Sequence, residues 1–150
     1  MKKLSTELNG IVPSLHTPFN FDKSIDFESL TKLLDHTISS RCSGMLIGAV
    51  AGENQSLTLE EKIELMDFVL KHVNHKINVI VGCSASNQEE RIELVKIAKS
   101  KGAKWYLVQS PEGYKGKELL RVFEEISNVG PENLMIQDLS WHDNGLVDND

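Results

Sequence analysis

Cysteine is scarce in this 150-residue chain, and the two present, Cys42 and Cys83, stand far apart with no CxxC pair and no Cys/His cluster. That pattern excludes a zinc module and a disulfide framework, and it fits reduced thiols in a cytoplasmic setting. Long apolar runs are also missing: nothing approaches the about 18 uninterrupted apolar residues of a membrane span. The start, MKKLSTELNGIVPSLH, interrupts its apolar residues at Ser5, Thr6, Glu7 and Asn9, so no signal-peptide core follows the lysines. Positive charge is in deficit, with 16 Lys+Arg against 22 Asp+Glu, a net charge of -6 and a pI near 5.4. With no basic run longer than Lys2-Lys3, the electrostatic footprint of a nucleic-acid binder is absent. No Pro/Gly-rich linker or low-complexity tract divides the chain, so residues 1–150 are expected to form a single domain.

What is present is alternation. Short apolar runs recur at GIVPSL (10–15), GMLIGA (44–49), INVIVGC (77–83), WYLVQ (105–109) and LMIQDL (134–139). Each is too short for a stable buried helix and reads as an interior strand of a parallel sheet. Helical periods lie between them. Asp26 is placed to cap a helix with Phe27, Leu30, Leu34 and Ile38 on one stripe. Thr58 and Glu61 form a capping box ahead of Ile63, Met66, Leu70 and Val73. Ser86 and Glu89 read as a second box, before Ile92, Val95 and Ala98, with Gly102 as the C′ residue. A shorter helix over 117–126 turns Leu119, Phe123 and Ile126 inward.

The resulting order, βαβαβαβαβ, demands right-handed crossovers onto a parallel sheet. Two architectures satisfy it: a complete doubly wound sheet, or the first five units of a (β/α)8 barrel, which normally takes about 250 residues. Both put ligands at the carboxyl ends of the strands, so the same loops carry function in either.

In those loops GAVAGEN (48–54) is neither a Walker A motif nor GxGxxG, because Gly48 and Gly52 are four apart and no GK[ST] follows. Its small residues let a ligand approach main-chain N–H groups, or simply allow a tight strand-to-helix turn. His16 ends the first run without an identifiable partner, and lone histidines are more often satisfied rim residues than bases. Tyr114, in SPEGYKG, is either a ligand-facing donor or a loop aromatic covering apolar surface. WHDNG (141–145) offers an indole, an imidazole and a carboxylate, as a functional loop or as a frayed end. Cys83 reads as a packing residue at a strand end.

The stretches GIVPSLHTPFNFDKSIDFESL, GAVAGENQSLTLEEK, INVIVGCSASNQEERIELVKIAKSKGAKWYLV and SPEGY, in this order, resemble the dihydrodipicolinate synthase and N-acetylneuraminate lyase family. The resemblance runs from about Asn9 to Gly145. It implies the N-terminal part of a (β/α)8 TIM barrel of class I aldolase type, acting on pyruvate or a related 2-oxo acid through a lysine Schiff base, with no separate cofactor and no metal. In that family the loop after the second strand reads Gly-Thr-Thr-Gly-Glu and holds the keto acid's carboxylate. Here Gly52 and Glu53 keep the motif, Val50 and Ala51 replace the hydroxyl residues, and Ala49 replaces the first glycine. Val50, Ala51, Gly52 and Glu53 are therefore the expected substrate-binding residues.

The family's Tyr-Asn on the fifth strand is matched by Gln137 and Asp138, so the proton-transfer phenol is replaced by an amide that cannot shuttle a proton. Its paired tyrosines fall at Glu112 and Gly113, leaving Tyr114 one place on. The Schiff-base lysine belongs to the sixth strand, outside this sequence. Lys76 and Lys104 stand at the amino ends of strands, and Lys115 and Lys117 in a polar loop, so none is a substitute. The expectation is part of a divergent lyase, inactive as these 150 residues alone; a partial barrel also needs its apolar edge covered, which points to a homo-oligomer. Two other readings stay open: a catalytically inactive carboxylate-binding or structural module, and an unrelated doubly wound binding domain.

Overall fold

The computed structural model describes residues 8–142. Four helices, α1 (Phe27–Ser39), α2 (Leu59–Val73), α3 (Gln88–Ser100) and α4 (Gly116–Asn128), alternate with four strands. The strands are β1 (Gly44–Ile47), β2 (Asn78–Gly82), β3 (Trp105–Gln109) and β4 (Asn133–Gln137). All pair in parallel, in the order β1-β2-β3-β4. Each helix packs on the next, and one apolar cluster joins them to one face of the sheet. A doubly wound sheet reverses its strand order and carries helices on both faces. Neither holds here, so the sheet is the arc of a singly wound barrel.

The first expected strand, 10–15, is reduced to an extended segment with one bridge, Ser14 to Leu46. Its ladder comprises Ser43 N–H to the Ile11 carbonyl (2.9 Å), Leu46 N–H to the Pro13 carbonyl (2.9 Å) and Leu15 N–H to the Leu46 carbonyl (2.8 Å). Pro13 has no N–H to contribute, which keeps the pairing short. The capping box of α2 forms as expected. The expected Ser86/Glu89 box of α3 does not form: Asn87 is the N-cap, its Oδ1 accepting from Glu90 N–H (2.9 Å) and its Nδ2 donating to the Glu90 carboxylate (2.8 Å). Asparagine is as good a cap as serine, so two adjacent residues compete for the start of α3. Gly102, with φ +84°, closes α3 as the C′ residue.

Alternation of the pleat sorts the strand residues. Met45, Ile47, Val79, Val81, Tyr106 and Val108 face the helices and join the core with Leu30, Leu34, Met66, Val69, Leu94, Val95, Leu119 and Ile126. Each such side chain contributes roughly 1.5–3 kcal/mol when fully buried. Tyr106 donates its hydroxyl to the Ala103 carbonyl (2.5 Å), and burial pushes its pKa up to about 12. The register places Leu46, Ile80, Trp105, Leu107 and Met135 on the opposite, inner wall. β1 and β2 converge at their carboxyl ends because Gly82 is glycine: a Cβ there would lie 2.0 Å from the Gly48 carbonyl oxygen. Gly48, at φ +63°, then turns the chain out of β1.

Candidate active site at the carboxyl end of the sheet

After Gly48 the chain makes a 3-10 turn over Val50–Gly52 and a second over Asn54–Ser56 before α2 begins. The first turn bonds Gly52 N–H and Asn54 N–H to the Ala49 carbonyl (3.1 and 3.3 Å) and Glu53 N–H to the Val50 carbonyl (3.0 Å). The amides of Val50 and Ala51 open the turn, so its own bonds do not use them. Two side chains from the first extended segment fasten this loop. Thr17 donates its hydroxyl to the Gly52 carbonyl (2.7 Å), and His16 Nδ1 lies 2.8 Å from the Ala51 carbonyl, where it acts as donor. His16 thus has a rim partner. The loop comes so close that a Cβ on Gly52 would lie 3.0 Å from the Leu15 carbonyl. Val50 is exposed, Ala51 half-buried and Gly52 buried, while Glu53 turns its side chain to solvent from a left-handed backbone (φ 54°).

Asn54 ties the loop to the other neighbour, donating Nδ2 to the Ser84 carbonyl (2.9 Å). Its Oδ1 is the one buried side-chain oxygen among the described residues with no partner. Leaving such an acceptor unpaired costs about 1–3 kcal/mol. Beside it, a cavity of about 580 Å³ opens between the loops after β1, β2 and β3, with Asn54, Lys62, Arg91, Gln109 and Tyr114 in its walls. Arg91 is buried, its guanidinium donating to the Gln88 amide oxygen (3.4 Å) and the Ser86 carbonyl (3.5 Å). Burial lowers the pKa of Arg91, and also that of Lys62, with Glu90 acting in the opposite direction on both. The cavity therefore brings two cations to the carboxyl face that the motifs did not reveal. Arg91 was visible as a charge within the stripe of Leu94, Val95 and Ala98; Lys62 and Asn54 carried no such mark.

The expected site residues divide. Tyr114 lines the cavity; Val50, Ala51, Gly52, Glu53 and Gln137 do not. Gln137 ends β4 on the inner wall, paired in register with Gln109 of β3, and Gln109 Nε2 donates to Gln137 Oε1 (3.2 Å). Ser110 donates its hydroxyl to Asp138 Oδ1 (3.2 Å), and His142 Nδ1 lies 2.5 Å from the Ser110 carbonyl. Trp141 is exposed, edge-on to His142; Asp143, Asn144 and Gly145 of the same stretch lie outside the described residues. Cys83 is fully buried, and burial pushes its thiol pKa up to about 12, which suits packing and not reactivity. Lys76 and Lys104 precede β2 and β3, at the amino end; Lys104 faces Glu132 (3.7 Å). No helix among the described residues is long and apolar enough to cross a membrane.

A parallel, singly wound sheet with helices on one face and its loops gathered at the carboxyl end defines a TIM-barrel portion. The family model described as the dihydrodipicolinate synthetase family matches residues 7–138, and the chain belongs to that family. It is 33% identical over 125 residues to 4-hydroxy-tetrahydrodipicolinate synthase of Thermus thermophilus, covering 82% of this chain and 42% of that protein. It is 37% identical over 102 residues to the enzyme of the same name from Lactobacillus helveticus, covering 67% and 33%. Among solved structures it resembles dihydrodipicolinate synthase from Aquifex aeolicus (TM-score 0.83, 26% identity, 88% of this chain and 45% of that one). It also resembles YagE, a prophage protein of that family from E. coli K12 in complex with pyruvate (TM-score 0.80, 29% identity, 85% and 43%). The chain thus spans less than half the length of these relatives.

Proposed function

We propose that this chain is the carboxylate-binding portion of a divergent aldolase-type lyase acting on pyruvate or a related 2-oxo acid. The observation that carries the reading is the stiff turn at Val50–Gly52: held by Thr17, His16 and Asn54, it keeps two main-chain amides out of its own hydrogen bonds. By sequence match these residues correspond to the family's Gly-Thr-Thr-Gly-Glu loop, whose role is to hold the keto acid's carboxylate. Amides fixed in advance bind an anion without an ordering cost. The hydroxyl contacts are lost with Val50 and Ala51, so binding rests on the main chain. The family resemblance implies a Schiff-base lysine on a strand outside these residues; Lys76 and Lys104 stand at the amino ends of their strands, away from this face.

The test is titration calorimetry with pyruvate on the chain and on Val50→Pro. Proline suits this position, because it removes the amide while the preceding Ala49 is already extended (φ -99°, ψ -168°). The expected result is at least about tenfold weaker binding by the variant, the weight of one charge-assisted hydrogen bond. Unchanged affinity would remove the turn from the site. Borohydride added with pyruvate is expected to trap no lysine of this chain; an adduct at Lys62 would place the nucleophile here instead.

Gln137 in place of the family's tyrosine favours a second reading, a module that binds the acid without turnover. Sustained cleavage of a 4-hydroxy-2-oxo acid by the intact gene product would rule it out. The exposed Met135 and Ile136 on β4 support association with further copies, which sedimentation velocity measures directly.

A further inference from the structure

The inner wall is apolar along Leu46, Ile80, Leu107 and Met135, and ends at the carboxyl side in two amides, Gln109 and Gln137. We infer that these amides form a non-titrating clamp that reads a hydroxyl group on a 2-oxo acid, so that this site distinguishes hydroxylated 2-oxo acids from pyruvate. The inference rests on the 2-oxo-acid reading given above.

The geometry is specific to the pair. Gln109 is only 6% exposed, and its backbone N–H is held by Ser84 Oγ (3.0 Å), which fixes the strand end that carries it. Gln137 is held from behind, its carbonyl accepting from Ser110 N–H (2.9 Å). One bond joins the two side chains, from Gln109 Nε2 to Gln137 Oε1. It leaves the Gln137 amino group as a donor and the Gln109 oxygen as an acceptor. If both amides rotate, the bond reverses and the free groups exchange residues, so the pair always presents one donor and one acceptor. A hydroxyl satisfies both at once, donating to the oxygen and accepting from the amino group. The methyl group of pyruvate satisfies neither. Neither amide takes or gives a proton near neutral pH, so the clamp holds a hydroxyl without deprotonating it.

Calorimetry with pyruvate and with 4-hydroxy-2-oxopentanoate, on the 150-residue chain, tests this. The hydroxylated acid is expected to bind about tenfold more tightly, one to two net hydrogen bonds, with the ratio constant between pH 6 and pH 10. Gln109→Leu and Gln137→Leu are each expected to abolish the preference, bringing the affinities for the two acids to within about twofold of each other. In the unsubstituted chain, 15N spectra should show the side-chain NH2 signals of these two glutamines moving with the hydroxylated acid and not with pyruvate; this measurement does not depend on the variants folding. Equal binding of both acids, or a preference that survives both substitutions, overturns the clamp and leaves the carboxylate loop standing. If neither acid binds, the 2-oxo-acid reading fails and the clamp falls with it. A preference that titrates with a phenol-like pKa also overturns it.

Discussion

β2 and β4 have similar sequences, NVIVG and NLMIQ, yet opposite surroundings. All five residues of β2 are buried, whereas Met135 and Ile136 of β4 are exposed and the rest only half-buried. β2 has a strand on each side and helices behind it; β4 has one strand neighbour among the described residues. The contrast extends to the loops. At the β1/β2 side, Thr17, His16 and Asn54 fasten the turn at Val50–Gly52 from both flanks, and Gly82 admits the Gly48 carbonyl. At the β3/β4 side, a pair of glutamine amides faces an open wall. The fastened turn therefore lies on the enclosed side, and the sequence departs from the family's motifs on both sides, at Ala49, Val50 and Ala51 and at Gln137.

The largest expected effect breaks that comparison directly. Ile80→Ala, in the buried centre of β2, should cost about 3 kcal/mol in urea unfolding, while Ile136→Ala on β4 should cost less than about 1 kcal/mol. Equal losses would mean that β4 is covered in solution, and concentration-dependent unfolding would then identify self-association as the cover. A smaller effect concerns the fastened loop. Thr17→Val removes the hydroxyl that holds the Gly52 carbonyl and should destabilise by about 1 kcal/mol. It should also weaken pyruvate binding several-fold, since a looser turn must be ordered on binding; a stability loss with unchanged affinity would separate the loop's packing from its use.

The smallest effect is a pH dependence at the start of α1. The Ser29 hydroxyl and backbone N–H bonded to Asp26 hold its carboxyl below the usual value. A depressed carboxyl pKa contributes stability above the unfolded value of about 3.9, and that contribution is lost as pH falls through the lower folded value. Asp26→Asn keeps a capping side chain without the titration. The stability difference between the two chains should therefore shrink steadily below about pH 4, in unfolding curves taken from pH 6 to pH 2.5. A difference that stays constant across that range would show that the cap's hydrogen bonds are indifferent to its charge.

Much of the fold was legible in the chain. The runs that became β1 to β4, the cap at Asp26, the box at Thr58 and Glu61 and the stop at Gly102 all follow from local period and cap chemistry. The first strand is shorter than its apolar pattern implies because Pro13 lacks an N–H, and the Ser86/Glu89 box of α3 gives way to a cap at Asn87 because the two adjacent residues compete for the helix start. The site was legible only in part. The loop at Val50–Glu53 is marked in the sequence by its small residues, but its fastening by Thr17 and Asn54 joins residues 35 and 30 positions apart, which no local pattern encodes. Gln109 is the last residue of an apolar run in the sequence, and only strand register sets it beside Gln137.

By itself the sequence determined the alternation of strands and helices, the parallel sheet and the identity of the loops at its carboxyl end, because hydrophobic period and capping act over a few residues. The motif resemblance already implied the barrel that the singly wound sheet displays; only the tertiary structure decided that Lys62 and Arg91 share a cavity wall and that Gln109 meets Gln137. Those outcomes depend on which strand lies beside which, a choice set by packing helices on a single face, where distant residues compete for the same buried surface.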